Sequence, residues 1–386
     1  MCFTFLARTF KNRREYQIVI IGYFLRLLLL FWDRELSKIF ILPGSGGDSE
    51  GFHHVALDLA NGFSGIYGGY YTLIISYIYR LFGAERVVAQ YINVLLGMTT
   101  VVILYNIMDL LDISYETRVA ALAFACLLPN FAIMNSVLLR ESIIILLIAF
   151  SIYHFIIWFI SSSIFHFILA ILFVLGASVF HSGAIAPLFA YTACAMFFRR
   201  KEDKFRVSVN TIFLFLLFWG MFTFIQQRYN DLFLGRFSNI ESISDVVNIE
   251  EARGDSGYNV GIDTNNSIYA LIVNTPIRMF YFIASPLPWQ WRGINDIIAF
   301  FFSALFYFYC YILAFKYLLN KDYANKNIII LLLFLTISSM FVFAWGVSNV
   351  GTALRHRDKF IVQYILMYAI CRDKQTLFIS DRQQEA

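Results

Sequence analysis

Apolar residues in this chain run in long unbroken stretches, without the period-two alternation of membrane strands. They fall near 17–40, 86–108, 118–138, 141–161, 163–180, 182–198, 207–226, 294–319, 327–347 and 358–371. Most approach the roughly 20 residues that a helix needs to cross about 30 Å of hydrocarbon. Within lipid, every backbone N–H and C=O must find a partner inside the protein, which leaves helical bundles and closed barrels as the spanning structures. The pattern therefore predicts an all-α polytopic integral membrane protein of roughly ten transmembrane helices, with the whole of 1–386 forming one transmembrane domain.

Two apolar pieces break the pattern. YGGYYTLIISYIYRLFG (67–83) would add a crossing, and NTPIRMFYFIASPLPWQWRG (274–293) is interrupted by prolines. Lysine and arginine crowd at Arg8 to Arg14, in RRKEDKFR (199–206) and from Lys316 to Lys326, each beside a predicted helix end. Such clusters face the cytoplasm. The first two share a side only if an even number of crossings separates them, so 43–85 is expected to be an external loop carrying interfacial helices. The same reasoning makes 227–293 a large external loop whose second part, 274–293, is re-entrant or juxtamembrane. Both termini then lie in the cytoplasm.

Composition agrees: 59% of the residues are hydrophobic, 18% aromatic and only 15% charged, too apolar for a water-soluble domain of 386 residues. The net charge of +4 is small and sits at loop ends, so it sets orientation in the bilayer and excludes nucleic acid as the expected partner. The first apolar stretch carries Arg26 and is followed by Asp33 and Arg34, which predicts a retained helix in place of a cleaved signal. Five scattered cysteines, none in a CxxC pair, point to packing and not to disulfides or a thiolate metal site.

This topology gathers polar residues on the external face. Asp48, Glu50, His53 and His54 follow the first helix; Arg140 and Glu141, His181 and Ser182, then Arg278, Trp289, Trp291 and Arg292, and finally Arg355, His356 and Arg357 mark later loops. Arginine kept on the outer face runs against the topological bias, and the planar guanidinium suits an anion such as a lipid phosphate. Each position also has a plainer role: Arg140 and Glu141 as a helix start, His181 as an interfacial histidine, Arg355 and Arg357 as anchors, the tryptophans as an aromatic belt. Asp48 follows GSGG and sits at or beside a helix N-cap; alternatively it is a carboxylate at the mouth of a membrane cavity, able to take a proton from an attacking hydroxyl.

The order of GDSEGFHHVALDLANG, GYYTLIISYIYRLFG, RVVAQYINVLLG and LLPNFAIMNSVLLRES resembles the opening half of GT-C-type membrane glycosyltransferases. The second half, with PIRMFYFIASPLPWQWRG and RHRDKF, is similar to the Wzy-type polymerases of bacterial capsule and O-antigen polysaccharides. The resemblance implies a GT-C-like fold in the bacterial cytoplasmic (inner) membrane and a polyprenyl-phosphate-linked glycan as substrate. It matches Asp48 to the first-loop acid, with His53 and His181 as other candidate bases. Arg140, Arg278, Arg355 and Arg357 match groups holding the lipid phosphate, and Glu141, Trp289 and Arg292 complete the candidate binding set. No second acid stands directly beside Asp48 and no soluble C-terminal domain is visible, which favours polymerisation over single-sugar transfer.

The implied reaction joins repeat units carried on polyprenyl pyrophosphate, with a chain-length regulator and a repeat-unit flippase as possible partners. Fixed arginines would stabilise the departing pyrophosphate, so the expected chemistry uses no metal and no other cofactor. Two alternatives stand beside it: a transferase moving one sugar from a polyprenyl monophosphate, and a flippase or other transporter, which would show internal repeats and ionisable residues at mid-membrane.

Overall fold

The computed structural model describes residues 9–63, 69–199, 202, 204–228, 257, 268–319, 325–347 and 349–373. Most of the loop expected over 227–272, together with Cys2, Arg8, Lys321 and Lys374, lies outside them.

The chain is built from α1 (Arg13–Phe31, continued by a π turn Trp32–Leu36), α2 (Gly47–Ala60), α3 (Tyr70–Phe82) and α4 (Arg86–Leu110). Next come α5 (Tyr115–Leu127), α6 (Pro129–Met134), α7 (Glu141–Ser161), α8 (Ile164–Phe180) and α9 (Pro187–Phe197). A two-stranded hairpin pairs Phe198 with Phe205 and Arg199 with Lys204. Then follow α10 (Val209–Arg228), α11 (Ile268–Ala284), α12 (Ile294–Leu319, with a π turn at Phe300–Ala304), α13 (Lys326–Trp345), α14 (Val350–Asp358) and α15 (Ile361–Arg372). Five of these, α1 with its π turn, α4, α7, α12 and α13, are long and apolar enough to cross a membrane. Shorter apolar helices surround them at Ile164–Phe180, Ser182–Phe197, Val209–Phe224 and Ile361–Arg372. The protein is an all-α membrane protein, and Cys126, Cys194, Cys310 and Cys371 form no disulfide.

Polar contacts collect at two opposite ends of the bundle. At one end Lys11 Nζ meets the Asp109 carboxylate at 2.6 Å, Arg118 Nε meets Glu15 at 2.9 Å, and the Ser114 N–H donates to Asp373 at 3.3 Å. These residues lie at the start of α1, the end of α4, the start of α5 and the end of α15. The opposite end holds Asp33 at the close of α1, Arg86 at the opening of α4, and α2, α3 and α14.

The single helix expected over 118–138 is instead two, broken at Leu128, because Pro129 has no N–H to give to the carbonyl of Ala125. Arg26, fully buried in α1, closes that gap: its guanidinium donates to Ala125 O at 3.1 Å, Cys126 O at 3.0 Å and Gly22 O at 3.0 Å. An arginine at mid-bilayer costs roughly 2.5–3.5 kcal/mol, and charged hydrogen bonds at about 1.5–3 kcal/mol each offset it. Glycine at position 22 is required here, since a Cβ would come within 2.6 Å of Cys126 Cβ.

The irregular strip after α6 is satisfied the same way. Asn93 Nδ2 donates to Val137 O and Leu139 O, both at 2.9 Å, and Gln90 Nε2 donates to Ser136 O at 3.2 Å. Non-helical backbone is thus buried against α4 instead of facing lipid. The segment 274–293 is partly helical. Pro276 lies inside α11, and the chain leaves the helix only after Ala284, with a 3-10 turn at Pro288–Gln290.

Candidate functional site

The GSGG strip ends in α2, with Gly46 at the N-cap position and Asp48 second in the helix, so the Asp48 side chain is not the cap. Across from it stands α14, fixed at both ends. Asn349 Oδ1 accepts the N–H groups of Gly351 at 2.9 Å and Thr352 at 3.2 Å, closing the N-terminus. At the other end Arg357 is fully buried and donates to Ser303 Oγ at 2.9 Å, to Ile283 O at 2.7 Å and to Ser285 O. Asp358 accepts from the Tyr307 hydroxyl. Ser303 belongs to the π turn of α12 and Tyr307 follows it, so both anchors of α14 come from beside that irregularity.

With α14 so held, Arg355 projects to the opposite side and forms an ion pair with Asp48. The two line an open cleft of about 440 Å³ with Arg292, Asp296, Asn130, Asn295, Asn349 and Thr352. Arg292 is tied to Asp296, whose Oδ2 accepts its backbone N–H at 2.9 Å and its Nε at 3.3 Å. The cleft therefore offers two guanidinium groups, two carboxylates and several neutral amides, a lining suited to a hydroxyl-rich, anionic ligand.

Three of the residues singled out in the sequence, Asp48, Arg292 and Arg355, meet in this cleft. The others do not. Arg140 donates to Phe180 O at 3.0 Å and covers the Phe52 ring. Glu141, 2% exposed, lies 3.8 Å from the buried Lys359, whose Nζ donates to His356 Nδ1 at 2.7 Å. His181 packs against His356 and Phe343; burial, reinforced by the Lys359 charge, holds both imidazoles well below their ordinary values. Arg278 lies over the Trp345 ring at 4.5 Å, and Trp289 is exposed at the surface. Arg357, expected to face a lipid phosphate, is buried under backbone carbonyls and anchors α14.

His53 sits on the far side of α2 from Asp48, its Nδ1 2.8 Å from the Tyr79 hydroxyl. Burial, then Arg86 and His54, push its imidazole below the usual value. Close by is a network that the sequence reading passed over. Arg86 bonds Glu50 and, at 2.6 Å, Ser49 Oγ; Asp33 accepts from Ser45 and, at 2.6 Å, from Gln90 Nε2; Arg86 Nη2 stands 3.9 Å from Asp33. Burial tends to raise the Glu50 carboxyl, but the Arg86 hydrogen bond and charge outweigh it and leave it below its ordinary value. The available signal was the spacing of Arg86, Gln90 and Asn93, which puts three polar groups on one face of an otherwise apolar helix. Asp358 and Lys359 gave no comparable sign, because their partners come from distant helices.

Among the described residues no group of three or more histidine, cysteine, aspartate or glutamate side chains is arranged to hold a metal ion. No protein-family model, no curated protein and no solved structure matches this chain.

Proposed function

We propose that this protein is a membrane glycosyl-transfer enzyme that polymerises polyprenyl-pyrophosphate-linked oligosaccharide repeat units into surface polysaccharide. It works on the outer face of a bacterial inner membrane, through a GT-C-like bundle of roughly ten spans with both termini cytoplasmic. The observation that carries the reading is the cleft in which Asp48, Arg292 and Arg355 converge from three distant parts of the chain. The gathering of Lys11 and Arg118 at the opposite end supports the orientation.

In this mechanism the pyrophosphate of the donor competes with Asp48 for Arg355. The ion pair is open to solvent on its Asp48 side and gives way at little cost, since solvent-screened pairs are worth about 0–1 kcal/mol. Asp48, released from its cation, accepts the proton of the attacking sugar hydroxyl. That oxygen forms the new bond to the anomeric carbon while the bond from this carbon to the pyrophosphate oxygen breaks. The leaving group takes the electron pair, and Arg355 and Arg292 stabilise the charge developing on it.

A second reading, transfer of a single sugar from a polyprenyl monophosphate, is favoured by Asp33. This carboxylate lies near α2 in space although no acid adjoins Asp48 in sequence.

The test is the length distribution of surface glycan in cells carrying Asp48→Asn or Arg355→Ala. The polymerase reading expects single repeat units in place of long chains. A ladder of wild-type length from both variants overturns it, and loss of one sugar from an otherwise full-length glycan selects the single-sugar transferase.

A further inference from the structure

A second cavity, of about 610 Å³, opens on the other side of the α2 start and shares Gly46 with the Asp48–Arg355 cleft. Its walls carry Arg34, Lys38, Arg86, His53 and His54 against only two acids, Asp33 and Glu50. Both acids are already engaged: Asp33 by Ser45 and Gln90, Glu50 by Arg86, with His54 Nε2 3.9 Å away. The side chains of Arg34, in the π turn that closes α1, and Lys38, in the turn just after it, make no hydrogen bond or ion pair within the described residues. Arg86 is 6% exposed, and its Nε–H has no hydrogen-bond partner. A buried guanidinium with an unused donor, in a hollow whose carboxylates are spoken for, is a site short of an anion. The rim adds a second feature: Ile39 and Ile41 are 74% and 62% exposed beside Lys38, and Ile41 lines the cavity.

We infer that this cavity binds the phosphate of a lipid-linked ligand, with Arg34, Lys38 and Arg86 holding the oxyanion and the Ile39–Ile41 lip receiving the first carbons of the tail. Resting on the polymerase reading, it gives the reaction its second lipid-borne substrate. One carrier occupies the Asp48–Arg355 cleft, the other this cavity, and their glycans meet over Gly46.

The experiment measures binding of radiolabelled farnesyl pyrophosphate to the full-length protein in detergent micelles, with inorganic pyrophosphate and farnesol as competitors. Arg34→Gln/Lys38→Gln, both at exposed positions, should weaken one class of sites by about tenfold or more and leave the other intact. Arg86→Gln should do the same, and the exposed pair keeps the test decisive if Arg86→Gln fails to fold. Unchanged binding in the double variant overturns the site. Competition by inorganic pyrophosphate as strong as by the lipid overturns the lipid assignment, whereas weak competition from both farnesol and pyrophosphate supports it. If the double variant loses binding while wild-type membranes make no polymer, the cavity stands and the polymerase reading falls. If polymer forms at normal length and binding is unaltered, the cavity assignment alone falls.

Discussion

Arg355 on α14 holds the Asp48 carboxylate at the start of α2, and this ion pair joins the segment after α1 to the segment between α13 and α15. Asp48 is 57% and Arg355 19% exposed, so the pair contributes little to stability and is open to exchange with a ligand. Two positions further on, Arg357 is the reverse case: fully buried and bonded to backbone carbonyls.

That contrast gives the first prediction. Arg355→Lys should change thermal stability by less than about 1 kcal/mol. Arg357→Lys should cost at least about 2 kcal/mol, because an ammonium cannot reproduce the fork that reaches Ser303, Ile283 and Ser285 together. Thermal unfolding in detergent micelles separates the two, and equal losses would contradict the assignment of Arg357 as an anchor.

The buried pair Glu141 and Lys359 leads to the second. Glu141 Oε2 has no hydrogen-bond partner, so the carboxylate depends on the ammonium beside it. Lys359→Met leaves that charge uncompensated and should destabilise by about 3–5 kcal/mol, while Glu141→Gln/Lys359→Met should recover part of the loss. A double variant no better than the single one would show that the two side chains do not act on each other.

Close packing supplies a third. A Cβ at position 97 would lie 2.4 Å from Asn135 Cγ, whereas one at position 220 meets nothing within 4 Å. Gly97→Ala should therefore cost about 1–3 kcal/mol by pushing α4 away from the 135–140 strip, and Gly220→Ala should be silent. Comparable melting temperatures would refute this packing.

A fourth prediction concerns acid. His53 and Glu50 both titrate below their ordinary values in the folded state, so the unfolded chain binds more protons at a given pH. Their stabilising effect is complete above the unfolded values, about 6.5 for histidine and 4.3 for glutamate, and is lost as pH falls through the folded ones. The α2–α3 region should loosen between about pH 6.5 and 4, read as faster amide exchange over 47–82. His53→Gln should remove the part of that change that begins below about pH 6.5.

Much of the helical framework was legible in the sequence, because an apolar stretch of sufficient length has nowhere to go but into lipid and must bond its own backbone there. Runs such as 86–108 and 141–161 met α4 and α7 within a residue or two. The break at Leu128 was missed, although Pro129 stood in view, because hydropathy does not register a missing N–H. Its counterpart Arg26 looked like an interruption of the first helix and proves to be the donor that the proline lacks.

Among the polar residues, sequence alone determines only which side chains have the chemistry to meet an anion. Asp48, Arg292 and Arg355 share a cleft while Arg140, Arg278 and Arg357 turn to a carbonyl, an indole ring and the helix core, and this division belongs to the tertiary structure alone. Hydropathy sorts residues by depth, one dimension at a time. Which guanidinium keeps its hydrogen bonds for a ligand depends on which backbone carbonyls are left without partners nearby, and those are set by how α11, α12 and α14 pack.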